Sequence, residues 1–217
     1  MPDLQQAGVS KDARSPSVWR PRRDKRLDFA RRHSFTIEQL ARLAFAGRTL
    51  EARKKKASRW VADQRRRGRI NVVGVVQRRD TGRPEVVHGR RCKQTEVEHE
   101  VMVAEFEVLT NIRLERSKKR ARTEPDGTGE TEGNKVSVEI DNSGKMTVRK
   151  QMEAKWKRYE GTEGFVLVVT HDESRMQRLR QSAEAYKGVG LLFTTFDRLR
   201  SGVEEPWVDW CGNRVKV

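Results

Sequence analysis

The sequence predicts an α/β protein in which a small helical unit with a β-hairpin precedes a larger unit with a mixed central sheet. Apolar residues recur at helical spacing between residues 27 and 67, whereas helical and strand patterns alternate from residue 99 onward. Residues 164–170 form a mainly apolar run without alternation. Such a run is typical of a strand covered on both faces, as in largely parallel or mixed sheets.

The composition restricts the classes of partner. The chain has 217 residues, with 47 lysines and arginines against 31 aspartates and glutamates, and a net charge of +16. This excess predicts a polyanionic partner, and among polyanions we expect nucleic acid. No apolar run approaches the length of a membrane span. Cys92 and Cys211 lie far apart, which argues against a zinc site or disulfide framework and fits a reducing cytoplasm. We therefore expect a cytoplasmic protein, associated with the nucleoid.

Changes of pattern along the chain predict four segments. Residues 1–26 contain prolines and an arginine cluster, and we interpret them as a disordered basic arm. Residues 27–90 form the helical unit, and residues 97–205 form the sheet unit. Residues 206–217 are a C-terminal tail whose two tryptophans either pack on the body of the protein or form a docking patch.

The helical unit has the pattern of three helices followed by a hairpin. A short first helix begins near Leu27, and Thr36 has the spacing of a capping box with Gln39 at the start of the second. Thr49 can cap a third helix that runs to about Arg67. Two short apolar runs then flank an Asp-Thr-Gly turn, which predicts a β-hairpin.

This order of elements, with a basic third helix, is typical of a winged helix-turn-helix that binds double-stranded DNA. The third helix would enter the major groove, and the hairpin would contact the flanking phosphates. A basic helix by itself is usually a solvated face, but the arginines at the hairpin favour DNA binding. A homodimer is in keeping with such a protein. The candidate DNA-binding residues are Lys55, Lys56, Arg59, Arg66, Arg78, Arg79 and Arg83.

Candidate catalytic residues lie in the sheet unit. Apolar and polar residues alternate from residue 135 to 141, so one face of the predicted strand is apolar and the other carries Glu139 and Asp141. Asp126 follows a proline in the preceding polar segment, and a glycine-containing loop allows the chain to turn back and bring Asp126 beside these two acids. Converging carboxylates form a site for a hard divalent cation such as Mg²⁺.

Two charged residues fall on predicted apolar faces. On the helix predicted over residues 99–110, Glu105 lies in the middle of the apolar face, and the other glutamates lie outside it. A carboxylate there must be paired, protonated or bound to a metal, and an arginine salt bridge is as good an explanation as a metal. Lys155 falls within the core stripe of the helix predicted over 144–159, which suggests a partner acid, although snorkelling is the commoner outcome.

The order of elements in the sheet unit resembles the PD-(D/E)XK nuclease fold, and the motif residues are Glu105, Pro125-Asp126 and Glu139-Ile140-Asp141. Together with the predicted winged helix, the chain from about residue 27 to 199 is similar to the replication-relaxation family of plasmid and mobile-element proteins. Lys155 and Tyr159 match the helical lysine and tyrosine of that family. The resemblance implies a DNA-binding role in the replication or maintenance of a mobile element.

The nuclease fold implies roles for these residues. Asp126 and Glu139 would hold Mg²⁺ or Mn²⁺, and Glu105 would hold a second ion or orient water. The metal activates a water that attacks the phosphate, and a lysine stabilises the developing charge. Asp141 occupies the position where that lysine is normal, so either Lys155 (or Lys145, at the start of the same helix) has replaced it or the site only binds. Two functions therefore stay open: a metal-dependent DNA endonuclease or nickase, and a non-enzymatic DNA-binding regulator or replication factor.

Overall fold

The structure, a computed structural model, confirms a mixed α/β protein with one three-stranded and one six-stranded sheet. Side chains of residues 20–24 and 149–152 are not described. The residues that the structure describes are 20–77, 83–116, 124–142, 149–186 and 188–217.

The N-terminal elements are three helices and an antiparallel three-stranded sheet. They are α1 (Arg20–Arg32), β1 (Ser34–Phe35), α2 (Ile37–Ala44), α3 (Leu50–Arg66), β2 (Asn71–Gln77) and β3 (Pro84–Gly89). The strand order is β1-β3-β2, so the short strand β1 extends the predicted hairpin. Thr36 caps α2 through the predicted capping box with Gln39, and the Thr49 side chain caps α3. These caps satisfy backbone N–H groups that have no partner within the helix.

Helix α1 begins earlier than predicted. It starts at Arg20, so residues 20–26, which we assigned to a disordered arm, are helical. Pro21 lies in the first turn, where a missing N–H and a fixed φ are tolerated. The rest of the predicted arm lies outside the described residues.

The C-terminal elements alternate between helices and the strands of the larger sheet. They are α4 (Val97–Thr110), β4 (Gly127–Thr131), β5 (Asn134–Asp141), α5 (Arg149–Lys157), β6 (Phe165–Thr170), α6 (Glu173–Ala183), β7 (Gly190–Thr195), α7 (Phe196–Ser201), β8 (Trp207–Val208) and β9 (Arg214–Val215). The six strands lie side by side in the order in which they occur in the chain, from β4 to β9. Strands β5, β6 and β7 run parallel to one another, and the other neighbouring pairs are antiparallel. The sheet is therefore mixed, as predicted.

Two segments of this unit differ from the prediction. The glycine-containing segment after Asp126 is not a loop but strand β4, which turns into β5 at Glu132 and Gly133 with positive φ angles of 47° and 81°. Residues 206–217 are not a separate tail, because β8 and β9 extend the sheet. Trp207 is buried there and packs against Phe106. Of the two alternatives for this tryptophan, packing on the body of the protein is therefore the one observed.

Helix α4 is buried between the two sets of elements. Phe106 packs with the apolar face of β5, whereas Ala104 belongs to the core formed by α1, α2 and α3. Since neighbours cover several sides of α4, Glu100, Glu105 and Glu107 are all buried, and the prediction that only Glu105 faces inward is wrong. Among the described helices, we find none with the length and apolar character that crossing a membrane requires.

Candidate functional site

Asp126 and Glu139 lie next to each other where β4 begins. The antiparallel register pairs Gly127 with Val138, which places Asp126 opposite Glu139. The Asp126 N–H donates to the Val138 carbonyl oxygen at 2.9 Å, and its Oδ2 accepts from the Ile140 N–H at 2.8 Å. The hairpin thus brings these two predicted acids together.

Lys155 and Tyr159 both contact the Glu139 carboxylate. The Lys155 Nζ lies 2.9 Å from Glu139 Oε2, and the Tyr159 hydroxyl donates to Oε1. Glu139 is therefore the partner acid that the inward position of Lys155 suggested. Burial and the neighbouring Glu139 charge raise the pKa of the Tyr159 phenol, so the hydroxyl keeps the proton that it donates.

His99 completes the cluster, although no sequence pattern indicated it. It lies in the first turn of α4, and its Nε2 is 2.7 Å from Asp126 Oδ1. Burial alone would raise the pKa of Asp126, but hydrogen bonds from His99 and the Ile140 N–H, together with the charge of Lys155, hold it below its ordinary value. Asp126 is therefore an anion at neutral pH.

The cluster is partly accessible, since the side chains of His99, Asp126 and Lys155 are 23%, 18% and 18% exposed. Its paired carboxylates could accept a cation, and its lysine could contact a phosphate. Among the described residues, however, no three histidine, cysteine, aspartate or glutamate side chains are arranged to hold a metal. The predicted site of three or more acids is thus reduced to Asp126 and Glu139.

Asp141 forms a buried ion pair instead of joining the cluster. Arg175 of α6 donates to its Oδ2 from Nη2 at 2.7 Å and from Nε at 3.0 Å, and both side chains are buried. The predicted catalytic role of Asp141 is therefore not supported. The physical reason is that Arg175, in the first turn of α6, neutralises this carboxylate.

Glu105 is also separate from the cluster. Its carboxylate accepts from Gln39 Nε2 at 3.0 Å and from Arg200 Nε at 3.3 Å, and Arg42 Nη1 lies 3.9 Å away. Of the two explanations for this inward-facing acid, the arginine pair is the one observed, and this position does not support Glu105 as a metal ligand or catalytic residue. The sequence could not reveal that α2 and α7 approach this face of α4.

The predicted DNA-binding residues of α3 form an exposed basic face opposite the buried Ala57, Val61 and Gln64. Exposed basic side chains on this helix include Lys55, Lys56, Arg59 and Arg66. Arg83 is exposed at the start of the second hairpin strand. Arg78 and Arg79 lie outside the described residues.

Comparisons with known proteins do not identify a relative. No protein-family model matches the chain, and neither the curated proteins nor the solved structures contain a match. The resemblance to the replication-relaxation family therefore stays a prediction from the motif residues.

Proposed function

We propose that this protein binds double-stranded DNA through α3 and the β2–β3 hairpin and hydrolyses a phosphodiester bond at the cluster of Asp126, Glu139 and Lys155. The observation that carries the proposal is the convergence of these three side chains, which come from separate elements, in a strongly basic chain. The resemblance stated above adds the biological setting, the replication or maintenance of a plasmid or other mobile element.

The N-terminal elements support the DNA-binding part of this proposal. A winged helix-turn-helix is expected to have three helices followed by a hairpin. The N-terminal elements have this arrangement, and the short strand β1 joins the same sheet as the hairpin. Helix α3 buries its apolar side and exposes a row of lysines and arginines. Such a row neutralises phosphates and releases counterions, so binding should weaken steeply as salt is added.

The two carboxylates are suitable donors for Mg²⁺ or Mn²⁺. Mg²⁺ prefers oxygen ligands and is commonly held by one or two carboxylates while it keeps several waters. The Lys155 ammonium lies 2.9 Å from Glu139 Oε2, so this carboxylate already faces positive charge. Asp126 and Glu139 would hold the ion. When bound, it would lower the pKa of a water to give the attacking hydroxide.

The other residues of the cluster have distinct roles in this proposal. Lys155 supplies the positive charge that the nuclease fold normally places at the Asp141 position, and it stabilises the negative charge that develops on the phosphate. Tyr159 holds the Glu139 carboxylate by donating to Oε1. His99 holds Asp126 in the same way from α4.

One observation favours the second candidate, a DNA-binding regulator or replication factor without catalysis. Both oxygens of Asp126 are bonded, to His99 and the Ile140 N–H, and both oxygens of Glu139 are bonded, to Tyr159 and Lys155. The cluster is therefore a satisfied polar network without an ion. In this alternative it serves to attach α4 and α5 to the sheet.

Plasmid nicking distinguishes the two candidates. Purified protein is incubated with supercoiled plasmid and Mg²⁺ or Mn²⁺, beside Asp126→Ala and Glu139→Ala. Glu163→Ala is the control, because Glu163 is 88% exposed and pairs only loosely with Lys135 at 3.6 Å. The catalytic proposal requires nicking by the parent and control and its loss in both cluster variants. DNA binding without nicking by the parent supports the regulator.

A further inference from the structure

A cleft of about 410 Å³ lies between the N-terminal elements and the six-stranded sheet. His171 and Phe196, which line it, directly follow the last residues of the parallel strands β6 and β7. In open α/β sheets, ligands bind outside the carboxyl ends of the strands. The volume is within the range of about 300–1,000 Å³ that is usual for small-molecule sites.

The lining of the cleft combines apolar and charged side chains. Val101, Met102 and Phe196 supply apolar surface. Its charged lining includes Arg42 and Arg200 together with Glu38, Glu85, Glu98, Glu105 and Asp197, and Lys54 lies 3.7 Å from Glu38. Glu105 is the buried acid of this lining, with 8% of its surface exposed, so it is the carboxylate that holds a cation most strongly.

The side chain of Arg200 indicates which kind of cation fits. Its guanidinium lies 3.3 Å from the buried Glu105 carboxylate and 5.5 Å from the centre of the Phe196 ring. A carboxylate beside an aromatic ring binds guanidinium and ammonium groups through a charge-assisted hydrogen bond and a cation–π contact. The Arg200 side chain is itself 45% exposed, so an incoming cation can reach this position and replace it at Glu105.

We propose that the cleft binds an organic cation, a guanidinium or primary ammonium group on an apolar stem, which replaces Arg200 at Glu105 and Phe196. The stem lies on Val101 and Met102. A free guanidino compound or diamine has this chemistry, and so does an arginine or lysine side chain of a peptide. The site is separate from the Asp126–Glu139 cluster and does not depend on its activity.

Isothermal titration calorimetry with two probes tests the proposal. Agmatine carries a guanidinium and an ammonium group on a butyl stem, and acetyl-Gly-Arg-Gly-amide presents the same guanidinium within a peptide. Arg200→Ala removes the competing guanidinium, so this variant should bind at least one probe more tightly than the parent. Glu105→Gln removes the buried charge and should weaken binding about tenfold or more. Glu163→Gln, the matched change at an exposed glutamate, should bind like the parent.

The results separate the sources and can overturn the site. Binding of agmatine alone assigns a free small molecule, and tighter binding of the peptide assigns an arginine side chain. The proposal is overturned if Arg200→Ala binds neither probe more tightly than the parent does, whatever Glu105→Gln does. Equal affinities of the parent, Glu105→Gln and Glu163→Gln would also overturn it.

Discussion

Replacing Glu107 by glutamine should destabilise the fold strongly. Arg32 donates to both Glu107 oxygens at 2.6 and 2.7 Å, and the Leu114 N–H donates to Oε2 at 2.9 Å. His33 Nε2 also lies 2.9 Å from Oε2. Glu107 is only 4% exposed, so this network joins α1 to α4 with little screening by water. Glutamine keeps the shape of the side chain but removes its charge.

The pKa of Glu107 gives the magnitude. Burial alone would raise it, but Arg32, His33 and the Leu114 N–H lower it from 4.5 to about 2. A depressed pKa means that the folded state holds the anion more strongly than the unfolded chain does. The lowering of the Glu107 pKa corresponds to about 3 kcal/mol of folding stability at pH values above 4.5. The contribution is lost as the pH falls from 4.5 towards 2, where the carboxyl is protonated in both states.

Urea denaturation of the parent and Glu107→Gln across this pH range is the assay. The difference in unfolding free energy should be about 3 kcal/mol at pH 7 and should decline towards zero near pH 2. Glu163→Gln, at an exposed ion pair, should cost less than about 1 kcal/mol. A Glu107→Gln difference that is below about 1 kcal/mol at pH 7, or that does not change with pH, would refute the argument.

Three further predictions concern the basic face and the cluster. Replacing Lys55, Lys56 and Arg59 of α3 together by alanine should weaken the binding of duplex DNA. The slope of log affinity against log salt concentration, measured by fluorescence anisotropy, should fall by about 2 to 3. The control variant Lys135→Ala should bind like the parent. Lys155→Met should abolish nicking but tighten Mn²⁺ binding in calorimetry, because Glu139 loses its competing cation; unchanged Mn²⁺ affinity would contradict this. Tyr159→Phe removes a hydrogen bond to a buried carboxylate and should cost about 1.5–3 kcal/mol in urea denaturation, and a loss below 0.5 kcal/mol would show that the bond is weak.

The local features of the chain could be predicted because their partners are close in sequence. The Thr36–Gln39 capping box and the cap at Thr49 are made within three residues. The meeting of Asp126 with Glu139 was also predictable, since one tight hairpin joins their strands. Even there, the sequence predicts a loop where the structure has β4, because this polar, glycine-containing segment has little intrinsic strand preference.

The sequence by itself determined the capped helices α2 and α3, the apolar strand β6, the net charge and the meeting of Asp126 with Glu139. The tertiary structure decided which charged groups neutralise one another. His99 meets Asp126 across 27 residues, Asp141 meets Arg175 across 34, and Glu105 meets Arg200 across 95. Periodicity assigns a side chain to a face of its own element, but the partner opposite depends on how distant elements pack.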